Sequence, residues 1–67
     1  MPAHQPMHDD VLRRVQGEYT EMPGLRLTTA QAQRLWGLDS TTCGFVLMTL
    51  MQRGVLKRTP AGTYIHG

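Results

Sequence analysis

Apolar residues recur at three- and four-residue spacing in three segments of the chain, which is the pattern of helices that bury one face. The first segment follows Asp9 and Asp10, two acids suited to a first helical turn because the helix dipole favours negative charge there. Its apolar positions are Val11, Leu12, Val15 and Tyr19. Pro23 and Gly24 end it, because proline cannot continue a helix.

Two further helices are predicted on either side of a turn at Gly37. The first begins at Thr28, which has the capping-box spacing to Gln31. Its apolar positions are Ala30, Ala32, Leu35 and Trp36. Asp39 is a favoured N-cap residue for the next helix, which closes at Gly54. The apolar stripe of that helix is Cys43, Val46, Leu47, Leu50 and Met51.

Short strand-like segments complete the pattern. Residues 25–27 alternate apolar, charged and apolar, and residues 55–59 and 63–66 are strand-like as well. The turn at 60–62 joins the last two, because Gly62 can take a positive φ. The predicted fold class is therefore mainly α with a small β-hairpin, in the order helix, short strand, helix, turn, helix, hairpin.

Composition narrows the class of protein. A chain of 67 residues has room for one small domain with a thin core, and its one cysteine excludes an internal disulfide. No apolar run approaches the roughly 18 residues that cross a bilayer. The first ten residues lack the pattern of a signal peptide. We therefore expect a cytoplasmic protein that does not contact membranes.

Charge is unevenly distributed along the chain. The formal net charge is +2, yet all five acidic residues lie at or before Asp39. The charged residues after it are Arg53, Lys57 and Arg58, joined by His66 when that side chain is protonated. The C-terminal part is therefore basic, which permits contact with phosphate groups without requiring it.

Two stretches resemble the winged helix-turn-helix family of bacterial regulators: "LTTAQAQRLWGLDSTTC" at 27–43 and "LMTLMQRGVLKRTPAGTYI" at 47–65. The first is similar to the family pattern in which Leu-Thr opens a helix, Ala-x-x-Leu packs it and Gly-Leu turns into the recognition helix. The second is similar to the family ending that leads into a basic strand and a wing. The resemblance implies a winged helix-turn-helix domain over residues 8–67. Residues 1–7 contain two prolines and show no periodicity, so we expect them to form a flexible tail. Gln33 departs from it, because the family usually has a small residue four positions before the turn glycine.

The resemblance implies a DNA-binding protein. In this fold the third helix enters the major groove, and the wing meets phosphate or the minor groove. The positions mapped to the DNA-facing side of that helix are Ser40, Thr41, Gly44, Phe45 and Met48. Phosphate anchoring then falls to Arg53, Lys57 and Arg58, with Arg26 and Arg34 at the edge. We expect a transcription regulator that binds double-stranded DNA as a homodimer.

A protein–protein adaptor built on the same scaffold is the alternative. None of the mapped positions gives the bidentate contact that arginine makes to guanine or asparagine to adenine. Phe45 and Met48 either form an exposed apolar spot, which marks a protein interface, or lie partly in the core because the helix is rotated. Tyr19, with its neighbours on the first helix, is a further candidate for pairing two subunits.

The residues indicate neither an enzyme nor a cofactor. The sequence contains no recognisable nucleophile–base pair, carboxylate pair or glycine-rich phosphate loop. His4 and His8 have a metal-binding spacing, but no third ligand lies nearby, so we expect no metal site. Cys43 lies on an apolar stripe, which is typical of a buried core residue.

Overall fold

A computed structural model describes residues 6–67 and contains three helices followed by an antiparallel hairpin. The elements are α1 (Pro6–Glu21), α2 (Thr29–Trp36), α3 (Ser40–Gln52), β1 (Leu56–Arg58) and β2 (Tyr64–His66). The prediction of a mainly helical fold with a small hairpin is confirmed. Within the described part of the chain, no helix combines the length and the apolar character needed to cross a membrane.

The first helix starts within the segment predicted as a tail. Residues 6 and 7 belong to α1, while residues 1–5, including His4, lie outside the described residues. Asp9 lies in the first turn of α1, as its negative charge predicts. The helix ends at Glu21, and the amide of Met22 still donates to the carbonyl of Glu18 at 2.9 Å before the chain turns.

The two predicted caps are confirmed. Thr28 Oγ1 accepts from the amide of Gln31 at 3.1 Å, and Gln31 Oε1 accepts from the amide of Thr28 at 2.9 Å. Asp39 Oδ1 accepts from the amide of Thr42 at 2.8 Å. Gly37 ends α2 in the left-handed conformation, with a φ of 64°, which glycine adopts without a steric penalty. These caps fix the turn between α2 and α3 locally.

One apolar core joins all three helices to the hairpin. Its buried residues are Leu12, Val15, Tyr19, Ala32, Trp36, Cys43, Val46, Leu47, Leu50 and Leu56. The rings of Tyr19 and Trp36 lie 6.2 Å apart at 52°, a tilted aromatic contact. Tyr19 also donates its hydroxyl to the carbonyl of Tyr64 at 2.9 Å, which ties α1 to β2.

Three residues predicted to supply apolar surface are not buried. Leu35 is 51% exposed, Met51 is 37% exposed, and Ala30 is exposed as well. The buried residues of α2 are Ala32 and Trp36, and those of α3 are Cys43, Val46, Leu47 and Leu50, so the three residues lie beside the side of each helix that faces the core. Hydrophobic character alone did not separate the residues that face the core from those beside it.

The segment 25–27 forms a single bridge rather than a strand. Leu27 exchanges two backbone hydrogen bonds with Tyr64, at 3.3 and 2.7 Å. Tyr64 in turn pairs with Arg58, in the register that also joins Lys57 to Ile65. Leu25 instead donates its amide to Met22 in the turn after α1, so the pairing cannot extend backwards. Leu27 therefore adds a single bridge to the β2 side of the two-stranded hairpin.

Gln33 lies where the resemblance predicts a small residue, and the structure has a buried small residue beside it. Ala32, one position earlier, is the completely buried small residue of α2, while Gln33 is half-buried. The Sγ of Cys43 lies 3.8 Å from the carbonyl oxygen of Thr29, so α2 and α3 approach closely. The buried small residue of α2 is thus Ala32, one position before the place where the resemblance puts it.

Candidate nucleic-acid interface

Four buried residues fix which side of α3 faces outward. Cys43, Val46, Leu47 and Leu50 recur at three- and four-residue spacing and lie in the core. The opposite side, which we call the α3 outer face, consists of Thr41, Phe45, Met48 and Gln52, all exposed. These residues are separated by four, three and four positions, so they form one line along the helix.

The first turn of α3 carries small hydroxyl side chains. Ser40 and Thr41 are exposed immediately after the N-cap Asp39. Gly44 follows on the flank of the outer face and is half-buried, and a Cβ built on it would meet nothing within 4 Å. No packing inside the described fold therefore requires glycine at this position.

Phe45 and Met48 lie at the surface. Phe45 is 47% exposed and Met48 is 59% exposed, and neither belongs to the core or to the partly buried residues packed against it, so the interpretation in which a rotated helix places both partly in the core is wrong. The outer face consequently presents a phenyl ring and a thioether between its two polar ends, Thr41 and Gln52. It carries no charged side chain from Ser40 to Gln52.

The basic residues lie beyond the C-terminal end of α3. Arg53 is the C-cap residue of α3, and the amide of Val55 donates to the carbonyl of Leu50 at 2.9 Å, which fixes the entry into β1. Arg53, Lys57 and Arg58 are all exposed, and within residues 6–67 none of them forms an ion pair. Because Lys57 and Arg58 are neighbours on a strand, they point to opposite faces of the hairpin.

The two edge candidates are exposed but separate from this group. Arg34 lies in the last turn of α2, and Arg26 immediately precedes the bridge residue Leu27. By contrast, Arg13 on α1 pairs with Asp10 at 2.9 Å, and both side chains are largely exposed. Arg13 is therefore a useful reference cation that does not belong to the α3–hairpin region.

Tyr19 does not lie at any surface of this fold. Its side chain is completely buried, as is that of Val15, so the structure removes both from the candidate interface on α1. The reason is that the Tyr19 hydroxyl reaches across the core to the carbonyl of Tyr64. Burial raises the pKa of Tyr19 to about 12, with smaller contributions from Cys43 and Tyr64. Burial also raises the pKa of Cys43, which is completely buried as predicted.

Gln52 is the candidate residue that sequence reasoning missed. It continues the line of the outer face one turn beyond Met48 and is exposed. The signal was its four-residue spacing from Met48, and the predicted end of the helix at Gly54 already included it. A glutamine amide both donates and accepts, so it can bond a phosphate oxygen or a base edge.

The described residues show no other site with evident chemistry. No group of three histidine, cysteine or carboxylate side chains lies close enough within them to hold a metal ion, and no pocket occurs there. No protein-family model matches the chain, and no curated protein or solved structure matches it significantly.

Proposed function

We propose that this chain is a winged helix-turn-helix domain. Helices α2 and α3, joined by the turn at Gly37, have the order of a helix-turn-helix, and the hairpin β1–β2 has the place of the wing. Leu27, bridged to Tyr64, has the place of the short strand that precedes the helix pair in this arrangement. These features support the resemblance to bacterial regulators, with α3 as the recognition helix.

We further propose that the domain binds double-stranded DNA and regulates transcription. One observation carries this proposal: from Ser40 onward the chain has no acidic residue, and the three formal charges there are exposed cations. Phosphate contacts supply much of the affinity of DNA-binding proteins, so this acid-free region suits the DNA backbone. The small hydroxyl and apolar side chains of α3 then face the groove, and a homodimer supplies a second such helix.

Salt dependence of DNA binding tests this proposal. We expect fluorescence anisotropy with a labelled random-sequence duplex to show binding at low salt. With three cations per chain on phosphates, the logarithm of the affinity falls against that of salt with a slope of about −2.7 per chain. Lys57→Ala and Arg58→Ala each reduce the steepness of that slope by about 0.9.

Arg13→Ala is the matched control, because it removes an equal charge from α1 and costs little stability as an exposed pair. We expect it to leave the slope unchanged. If no binding to any duplex occurs at low salt, the proposal fails. If Arg13→Ala and Lys57→Ala weaken binding equally, the cations of β1 do not form the phosphate site.

A protein–protein adaptor is the second candidate function, and the exposure of Phe45 and Met48 favours it. Exposed apolar patches mark protein interfaces, and the centre of such interfaces is depleted of charge, as the outer face is. The two functions compete for the same side of α3. A partner held by Phe45 must therefore be displaced by DNA, or must displace it.

A further inference from the structure

Three exposed side chains of the α3 outer face carry apolar groups. Thr41 presents a methyl group beside its hydroxyl, Phe45 a phenyl ring and Met48 a thioether. Seven residues separate Thr41 from Met48, a rise of roughly 10 Å along the helix, and the major groove is about 12 Å wide. The span from Thr41 to Met48 therefore fits inside one groove, and Gln52 and Arg53 follow at its edge.

The major groove offers such side chains one suitable target. Adenine, guanine and cytosine present only hydrogen-bonding groups there, whereas thymine adds its C5-methyl group. Phe45 and Met48 pressed against the polar edges would remove water from donors and acceptors without replacing their hydrogen bonds, which is unfavourable. Contact with thymine methyl groups avoids that cost and buries apolar surface on both sides.

We propose that α3 recognises thymine C5-methyl groups in the major groove, so that the preferred duplexes are rich in A·T pairs. The inference rests on the proposed DNA-binding function and names its substrate class. We take double-stranded DNA as the occupant of the outer face because Arg53 directly follows Gln52, Lys57 and Arg58 follow on β1, and all three are exposed. No acidic residue occurs in the chain from Ser40 onward. The three cations complement the phosphates of DNA. Phe45 and Met48 complement the thymine methyl group, which is the one apolar group in the major groove.

The test compares thymine with uracil, which differ in this position by the methyl group alone. Duplexes are first selected for binding from a random-sequence pool, and we expect thymine to be enriched. The selected duplex is then made again with deoxyuridine in place of thymidine. We expect binding to weaken by about fourfold for each methyl group in contact. Because the change is made in the DNA, the folding of the protein cannot account for the result.

Protein variants assign the effect to the outer face. Phe45→Ala should abolish most of the difference between the thymine and uracil duplexes while keeping the salt-dependent binding. Met22→Ala is the matched control, since Met22 is a similarly exposed apolar residue, at 46%, that lies outside α3. We expect it to retain the full difference. Circular dichroism of both variants shows whether they are folded.

The outcomes separate the inference from the function on which it rests. Equal binding of the two duplexes, or a selection that enriches no thymine, overturns methyl recognition while DNA binding remains. A full thymine preference in Phe45→Ala overturns the assignment to the outer face. Absence of binding to every duplex at low salt overturns the proposed function itself.

Discussion

At the scale of single residues, Tyr19 connects elements that lie far apart in the sequence. Its spacing after Leu12 and Val15 correctly predicts an apolar helical stripe. Spacing does not reveal that the ring packs on Trp36 or that the hydroxyl reaches Tyr64. Both contacts depend on how the helices are arranged, so the stripe alone equally allowed Tyr19 to lie in an interface.

The buried hydroxyl of Tyr19 makes stability depend on alkaline pH. Because burial raises its pKa from 10.0 to about 12, the folded state holds the proton more tightly than the unfolded state does. Stability is therefore unaffected by this group below pH 10 and falls as the pH rises towards about 12, because deprotonation then favours the unfolded state. We expect Tyr19→Phe to lack this loss and to cost about 1 kcal/mol at neutral pH, for the hydrogen bond to Tyr64.

Urea denaturation of the wild type and of Tyr19→Phe, below pH 10 and near pH 12, measures the difference. Cys43 also has a raised pKa and is present in both proteins, so the difference between them reports the titration of Tyr19 together with its electrostatic coupling to Cys43. Equal loss of stability in the two proteins over this range would mean that Tyr19 is not the titrating group.

At the scale of elements, local signals were reliable and non-local ones were not. Capping residues, turn glycines and helical spacing act within a few positions, so the sequence located α2, α3 and both caps. The strand at 25–27 depended on a partner near residue 64, and only Leu27 found one. The middle of α3 was correctly mapped as facing outward, although the position of Gln52 in the same line was missed.

Two glycines inside helices allow helix stability and DNA binding to be tested separately. Gly17 in α1 and Gly44 in α3 have open space where a Cβ would lie. Glycine costs a helix interior about 1 kcal/mol relative to alanine, so Gly17→Ala and Gly44→Ala should each raise the free energy of unfolding by that amount. We expect Gly44→Ala alone to weaken DNA binding, because the added methyl group holds α3 away from the groove.

Urea denaturation and anisotropy on the same two variants measure both effects, with Gly17→Ala as the control for helix stability. If Gly44→Ala is more stable and binds DNA as tightly as the wild type, the flank of α3 at Gly44 does not approach the DNA.

At the scale of the whole molecule, acidic and basic residues are separated along the chain, whereas exposed apolar residues are spread over several elements. The acidic residues lie in the N-terminal part, and the cations of the C-terminal part, which form no ion pair within residues 6–67, lie at the end of α3 and on β1. Exposed apolar residues are spread over the end of α1, α2 and α3, at Met22, Leu35, Phe45, Met48 and Met51. The core residues, by contrast, are at most 5% exposed, so packing within residues 6–67 already covers the core without a second chain.

The oligomeric state therefore decides between the two uses of α3. If the outer face binds DNA, a homodimer must pair through another surface. Phe45→Ala should then leave the sedimentation coefficient of the free protein unchanged and weaken binding to the selected duplex.

If the outer face instead holds a second chain or another protein, the same substitution converts the complex to monomers. Analytical ultracentrifugation with and without duplex measures both quantities, and Met22→Ala provides the reference for a loss of exposed apolar surface elsewhere. Because one line of side chains cannot contact a groove and a subunit together, a dimer that dissociates in Phe45→Ala and persists when duplex is added would favour the adaptor function.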